Sequence, residues 1–138
     1  MAGHGFTVTK HYLGLETAWR AEFSQGTGGR VIGVNAEMDA LEGMGHACGH
    51  NLIAVSGVGI AVAMKAALQS QQHISGKVVL LGTPGMLKYF TNFWSICIQL
   101  DNDIYANSAE ESGGGKVILL ERGGYADMDA CIMYYDTP

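Results

Sequence analysis

At 138 residues the chain is long enough to bury a core and short enough to be at most one domain. Its 8 Lys and Arg against 13 Asp and Glu give a formal net charge of −5, and the basic residues are scattered without a stripe, which argues against a nucleic-acid surface. Three cysteines at irregular spacing make no disulfide framework and point to a reducing, cytoplasmic setting, and no charged-then-apolar leader opens the sequence.

Residues 5–13 and 17–23 carry the β-branched and aromatic alternation of strands, with 14–16 as a turn, so a hairpin is expected. The glycine-rich 25–29 forms a second turn; it lacks the Lys-Ser/Thr of a phosphate loop and precedes a strand, and it is assigned no ligand. Residues 30–36 read as a buried strand because their apolar run is nearly continuous. Asp39 follows at the strand end, where a carboxylate can bridge metals or orient a ligand imidazole.

Next comes Gly43-Met44-Gly45-His46-Ala47-Cys48-Gly49-His50-Asn51. A thiolate and an imidazole two residues apart can close on one metal ion, and Cys and neutral His both suit Zn²⁺, so Cys48 and His50 are candidate ligands. The alternative is a buried cysteine beside a loop histidine. Residues 51–69 spread Leu, Val, Ile and Met among small residues, as in a helix pressed against a sheet. Asn51 is its expected N-cap, which delivers the ligands to the positive end of the helix dipole, where thiolate is favoured over thiol. The uncharged stretch 52–64 is about half of what a bilayer span needs, so the helix is expected to be buried in protein, with no membrane partner. A connector with an exposed His73 leads to a buried strand over 77–82. Strand, helix, strand implies a parallel βαβ unit with ligands at the carboxyl ends of its strands.

After Gly82-Thr83-Pro84 the pattern breaks. Residues 85–108 include Tyr89, Phe90, Phe93, Trp94 and Tyr105, show no clear period, and fit neither a polar loop nor the surrounding α/β alternation. Beyond them, Ala109-Glu110-Glu111-Ser112-Gly113-Gly114-Gly115-Lys116 opens a short helix over 116–122, ended by Gly123-Gly124, and 129–135 read as a final strand.

Four ordered motifs resemble the metallo-amidohydrolases of peptidase family M-twenty: Met38-Asp39-Ala40-Leu41, Gly45-His46-Ala47-Cys48-Gly49-His50-Asn51, Gly82-Thr83-Pro84 and Ala109 to Lys116. Asn51 after the second histidine is similar to the Xaa-Arg dipeptidase group within it. The resemblance implies an α/β fold, part of a doubly wound, mostly parallel-sheet zinc-peptidase-like catalytic domain. It also implies hydrolysis of an amide or peptide C–N bond in a small acyl-amino acid or dipeptide. By the same resemblance Cys48, His50 and Glu111 bind metal, with Asp39 bridging or orienting, and Glu110 is the general base. The implied cofactor is a divalent metal, Zn or Mn, with two ions per complete site. His46 is placed near the site but not on the metal.

Family members are about two to three times longer, with a lid or dimerisation domain through which many form homodimers, so residues 1–138 are expected to be a partial catalytic domain without the lid. Removing 85–108 restores the uninterrupted family motif, and codons for Gly85-Met86 and for residues 106–109 permit splice-like ends; the segment reads as a retained intron, with a genuine insertion as the alternative. The family's final strand ends in a histidine ligand, matched here by Tyr135, and no histidine follows His73. The ligand set is thus incomplete as written, and a catalytically dead, truncated or mis-spliced product is the competing reading. A Cys/His redox or structural zinc module is weaker, because Cys97 and Cys131 are not spaced to complete a set with Cys48.

Overall fold

The computed structural model describes residues 1–40, 44–84 and 114–134. Among the described residues the strands are β1 (Thr7–Lys10), β2 (Trp19–Gln25), β3 (Arg30–Ala36), β4 (Gly76–Gly82) and β5 (Ala130–Ile132), and the α-helices are α1 (His50–Ser70), between β3 and β4, and α2 (Gly115–Glu121), between β4 and β5. These five strands form one sheet among the described residues, in the order β1-β2-β4-β3-β5. The pairs β3/β4 and β3/β5 are parallel, whereas β1/β2 and β2/β4 are antiparallel, so four of the five strands point the same way in a mixed sheet. The expected hairpin is β1/β2, and the expected βαβ unit is β3-α1-β4, with Ile32 opposite Val78 and Val34 opposite Leu80.

Strand alternation sorts the residues onto two faces. On one, Ala21, Val34, Ala36, Val78 and Leu80 join Phe6 and Ala61 of α1 in the main buried cluster. Gly57 lets the helix come close: a Cβ there would lie 3.3 Å from Ala36 Cβ and 3.5 Å from Leu80 Cδ1. Phe6 and Phe23 meet edge to face at 6.2 Å between centroids, and the Lys65 ammonium lies over both rings. The opposite face is covered by the chain from α2 to β5. Leu119 packs with Leu15 and Ala18, the Tyr125 hydroxyl donates to Asn35 Oδ1 at 3.0 Å, and Met128 and Cys131 close over Gly33, where a side chain would not fit. Val79 and Leu81 of β4 are therefore as buried as Val78 and Leu80, which is why that strand reads as an unbroken apolar run.

Several sequence expectations change. Asn51 is not the N-cap: Gly49, at φ 79°, takes that place, its carbonyl accepts from Leu52 and Ile53, and Asn51 lies exposed inside the helix. A left-handed glycine here ends the loop two residues earlier than the side-chain rule expects. α1 is buried on one face only, since Leu52 is 53% and Val55 70% exposed. By length and composition this 21-residue helix could also cross a bilayer, contrary to the shorter span inferred from 52–64, although Ile53, Ala54, Gly57 and Ala61 lie against protein. β1 stops at Lys10, because His11 and Leu13 adopt positive φ and Tyr12–Gly14 curls into a 3-10 turn. β5 is three residues long; its expected first residue, Asp129, instead accepts from the Val31 backbone N–H at 2.7 Å and pairs with Arg30. Glu110, Glu111, Tyr135 and the segment 85–108 lie outside the described residues.

The covering segment is tied down by Arg20, whose side chain is only 8% exposed. It pairs in bidentate fashion with Asp127, at 2.9 and 2.5 Å, and also reaches Glu22 and Tyr12. The hydrogen bonds from Arg20 hold the Asp127 carboxyl below its ordinary value. A carboxylate whose folded-state value is depressed contributes stability that is complete above its unfolded value, about 3.9, and that disappears as pH falls through the lowered one. Asp127→Asn is expected to destabilise the chain by about 1 kcal/mol at neutral pH, a figure discounted because the carboxylate is partly exposed. The gap to wild type should narrow below pH 4. Urea unfolding at pH 7 and pH 3 checks both the size and the sign.

Candidate active site

The carboxyl ends of β3 and β4 and the N-terminus of α1 meet at one edge of the sheet, because the parallel βαβ unit brings both strands out on the side where the helix begins. Glu37 and Asp39 follow β3, Thr83 follows β4, and His50 opens α1. Thr83 closes the end of the strand pair: its backbone N–H donates to the Ala36 carbonyl at 3.0 Å.

His50 and Asp39 are in direct contact, with the imidazole Nδ1 2.7 Å from Asp39 Oδ1. Both side chains are nearly sealed from solvent, at 9% and 4% exposure. A carboxylate only accepts hydrogen bonds, so this distance makes Nδ1 the donor to Asp39 and turns Nε2 to the other side of the ring. Nε2 faces Glu37 Oε2 at 3.7 Å, which is beyond hydrogen-bonding range. Glu37, at 2% exposure, places its other oxygen, Oε1, against the Lys116 ammonium. Lys116 comes from α2 and also approaches Met133 Sδ at 3.8 Å.

The remaining oxygen of the aspartate stands out. Asp39 Oδ2 is buried and has no hydrogen-bond partner among the described residues. A buried carboxylate oxygen left bare costs free energy that a cation would offset. Cys48 is half-buried two residues before His50 and lies within a turn closed by the Gly49 N–H on the His46 carbonyl at 3.0 Å; His46 itself is exposed. Among the described residues no three of His, Cys, Asp and Glu are grouped as a metal site. Of the sequence-chosen residues, then, the fold joins Asp39 to His50, keeps Cys48 on the adjoining loop, and leaves Glu110 and Glu111 outside the described part. Sequence reasoning passed over Glu37 and Lys116. Glu37 precedes Asp39 by two positions, the spacing that puts successive strand residues on one face, and this was the available signal.

This arrangement, a mixed α/β sheet with an acid-oriented histidine where the strands end, is compatible with an α/β hydrolase domain. No family model matches the chain. The chain is 38% identical to the Xaa-Arg dipeptidase of Mus musculus over 96% of its own length and 26% of that protein, and 35% identical to the Xaa-Arg dipeptidase of Homo sapiens over 96% and 27%. It is also 29% identical to one subunit of the p-aminobenzoyl-glutamate hydrolase of Escherichia coli (strain K12), over 95% of the chain and 25% of that protein. These likenesses support an M-twenty-like amidohydrolase family, and the relatives are hydrolases by name. The chain spans about a quarter of the length of the curated relatives it matches.

Proposed function

We propose that the chain is part of the catalytic domain, of doubly wound type, of a metal-dependent hydrolase that cleaves the C–N bond of a small acyl-amino acid or dipeptide. The observation that carries this reading is the Asp39–His50 pair at the strand ends, with Asp39 Oδ2 buried and without a hydrogen-bond partner among the described residues, and His50 Nε2 on the far side of the ring from Asp39. The names of the relatives point to the same chemistry, since an Xaa-Arg dipeptide and p-aminobenzoyl-glutamate are both amides of an amino acid.

The donors suit a borderline divalent ion such as Zn²⁺ or Mn²⁺: imidazole from His50, thiolate from Cys48 and carboxylate from Asp39, with Glu111 added by the family resemblance. When bound, such an ion polarises a carbonyl and acidifies water. Asp39 holds the His50 ring through Nδ1, which fixes its orientation. Glu110 serves as the base that accepts a proton from the attacking water and returns it to the leaving nitrogen.

The test is a Zn²⁺ or Mn²⁺ titration of the chain by calorimetry. His50→Ala and Cys48→Ser should each weaken binding by about tenfold, which is about 1.4 kcal/mol. Metal should also protect Cys48 from thiol alkylation. Titrations that are unchanged in both variants would remove these residues from the ligand set.

A further inference from the structure

We propose that the outer face of α1 is the contact surface for a second copy of this chain, the two helices packing antiparallel about a twofold axis at Gly59. This surface lies on the side of the helix turned away from the sheet, and the proposal stands independently of the hydrolase reading.

A helix that covers one side of a sheet ordinarily turns polar and charged residues to water. α1 does not. Its sheet side carries Ile53, Gly57 and Ala61, all buried. On the opposite side Leu52, Val55, Gly59, Ala63 and Ala66 recur every three or four residues, so they form one stripe along the helix, and all five are exposed. α1 contains no Asp, Glu or Arg, and its one lysine, Lys65, is held over the Phe6 and Phe23 rings. The stripe therefore bears no charge, and a contiguous apolar surface of this kind marks an interaction site. A Cβ built on Gly59 would meet nothing within 4 Å among the described residues, so the middle of the stripe is open to the close approach of another backbone.

The order of sizes along the stripe selects the occupant. Leu52 and Val55 are bulky, Ala63 and Ala66 are small, and Gly59 stands midway, seven positions from Leu52 and from Ala66 and four from Val55 and from Ala63. Turned end for end about Gly59, the stripe is complementary to itself. Leu52 then meets the partner's Ala66, Val55 meets the partner's Ala63, and glycine meets glycine where the helices cross. A parallel pairing would crowd the bulky residues against their own copies and leave a gap between the alanines. The seven-residue spacing of Leu52, Gly59 and Ala66 keeps two helices in contact along their length at a shallow crossing angle of about 20°. The antiparallel arrangement also brings opposite ends of the two helix dipoles together. One face of a 21-residue helix is about 31 Å long and buries less than the roughly 800 Å² per partner of a standard interface. The dimer is accordingly weak, with Kd on the order of 10⁻⁵ M, and the chain is monomeric well below that concentration.

Sedimentation equilibrium of the whole 138-residue chain between about 1 μM and about 500 μM should show a reversible monomer–dimer equilibrium. Val55→Lys and Ala63→Glu, both at exposed positions, should each weaken dimerisation by about tenfold or more. An equimolar mixture of the two should recover it as a heterodimer, because the introduced lysine of one copy then faces the introduced glutamate of the other. Gly59→Leu separates this pairing from general stickiness. It favours the helix and makes the stripe more apolar, so unspecific association would grow, whereas packing through Gly59 should be weakened by about tenfold or more, with the thermal transition of the monomer unchanged or raised. Circular dichroism checks that each variant is folded, and if Val55→Lys is not, Val55→Glu mixed with Ala63→Lys repeats the exchange. A chain that stays monomeric at the highest concentration, a mixture that does not recover, or tighter association in Gly59→Leu would overturn the proposal. Were the chain monomeric but carried down with phosphatidylcholine vesicles, the face would belong to a bilayer and the proposal would equally fall.

Discussion

Leu80→Ala is expected to destabilise the chain by about 3 kcal/mol, measured by urea unfolding. Leu80 is fully buried at the centre of β4, between β2 and β3, and meets α1 where Gly57 allows the helix to approach most closely. The helix and three hydrogen-bonded strands cannot collapse into the space left by the missing methyl groups without breaking the register that pairs Leu80 with Ala21 and Val34, so most of the cavity remains. Val55→Ala on the same helix is the control: with the side chain 70% exposed it should change stability by no more than about 0.5 kcal/mol. If the two substitutions cost the same, the face of α1 that packs on the sheet has been assigned wrongly.

That control falls where the sequence is least explicit. The strand over 30–36 and the helix over 51–69 were legible to within a residue of their ends, because a continuous apolar run between glycine-rich turns leaves little choice. Which side of the helix faces the core was not legible. Apolar and small residues surround α1, so periodicity does not separate Leu52 and Val55 from Ile53 and Ala61, and tertiary packing decides. The Asn51 cap failed for a local reason, namely that Gly49 takes the left-handed conformation and starts the helix first. In the site, Asp39 and His50 were both chosen from sequence and stand in contact, since eleven positions and a shared strand-to-helix loop keep them near. The Lys116–Glu37 and Arg20–Asp127 pairs were invisible, because 79 and 107 residues separate their members and nothing in the composition marks them as partners. Local patterning thus indicates which segments bury, while the pairing of buried charges depends on the topology that brings β3, α2 and the segment before β5 together.

In a longer protein that carries these motifs with a complete ligand set, replacing the glutamate at position 110 (Glu110→Gln) is expected to lower kcat by about a hundredfold or more while metal content is unchanged. Gln matches Glu in size and keeps a carbonyl acceptor but cannot take a proton near neutral pH, so what is lost is proton transfer to the leaving nitrogen and not the fold or the ion. Glu111→Gln should separate from it by lowering metal affinity first, with the activity loss partly recovered at high metal concentration. Asp39→Asn is expected to resemble Glu111→Gln more than Glu110→Gln, because Asp39 contacts His50 Nδ1 at 2.7 Å and its buried Oδ2 has no hydrogen-bond partner among the described residues. Parallel metal analysis and turnover on an N-acyl amino acid and a basic dipeptide distinguish the three. If Glu110→Gln loses metal in proportion to activity, the base and ligand roles of the two glutamates are exchanged. If it retains full activity, proton transfer belongs to another residue and the assignment taken from the Ala109-Glu110-Glu111 motif fails.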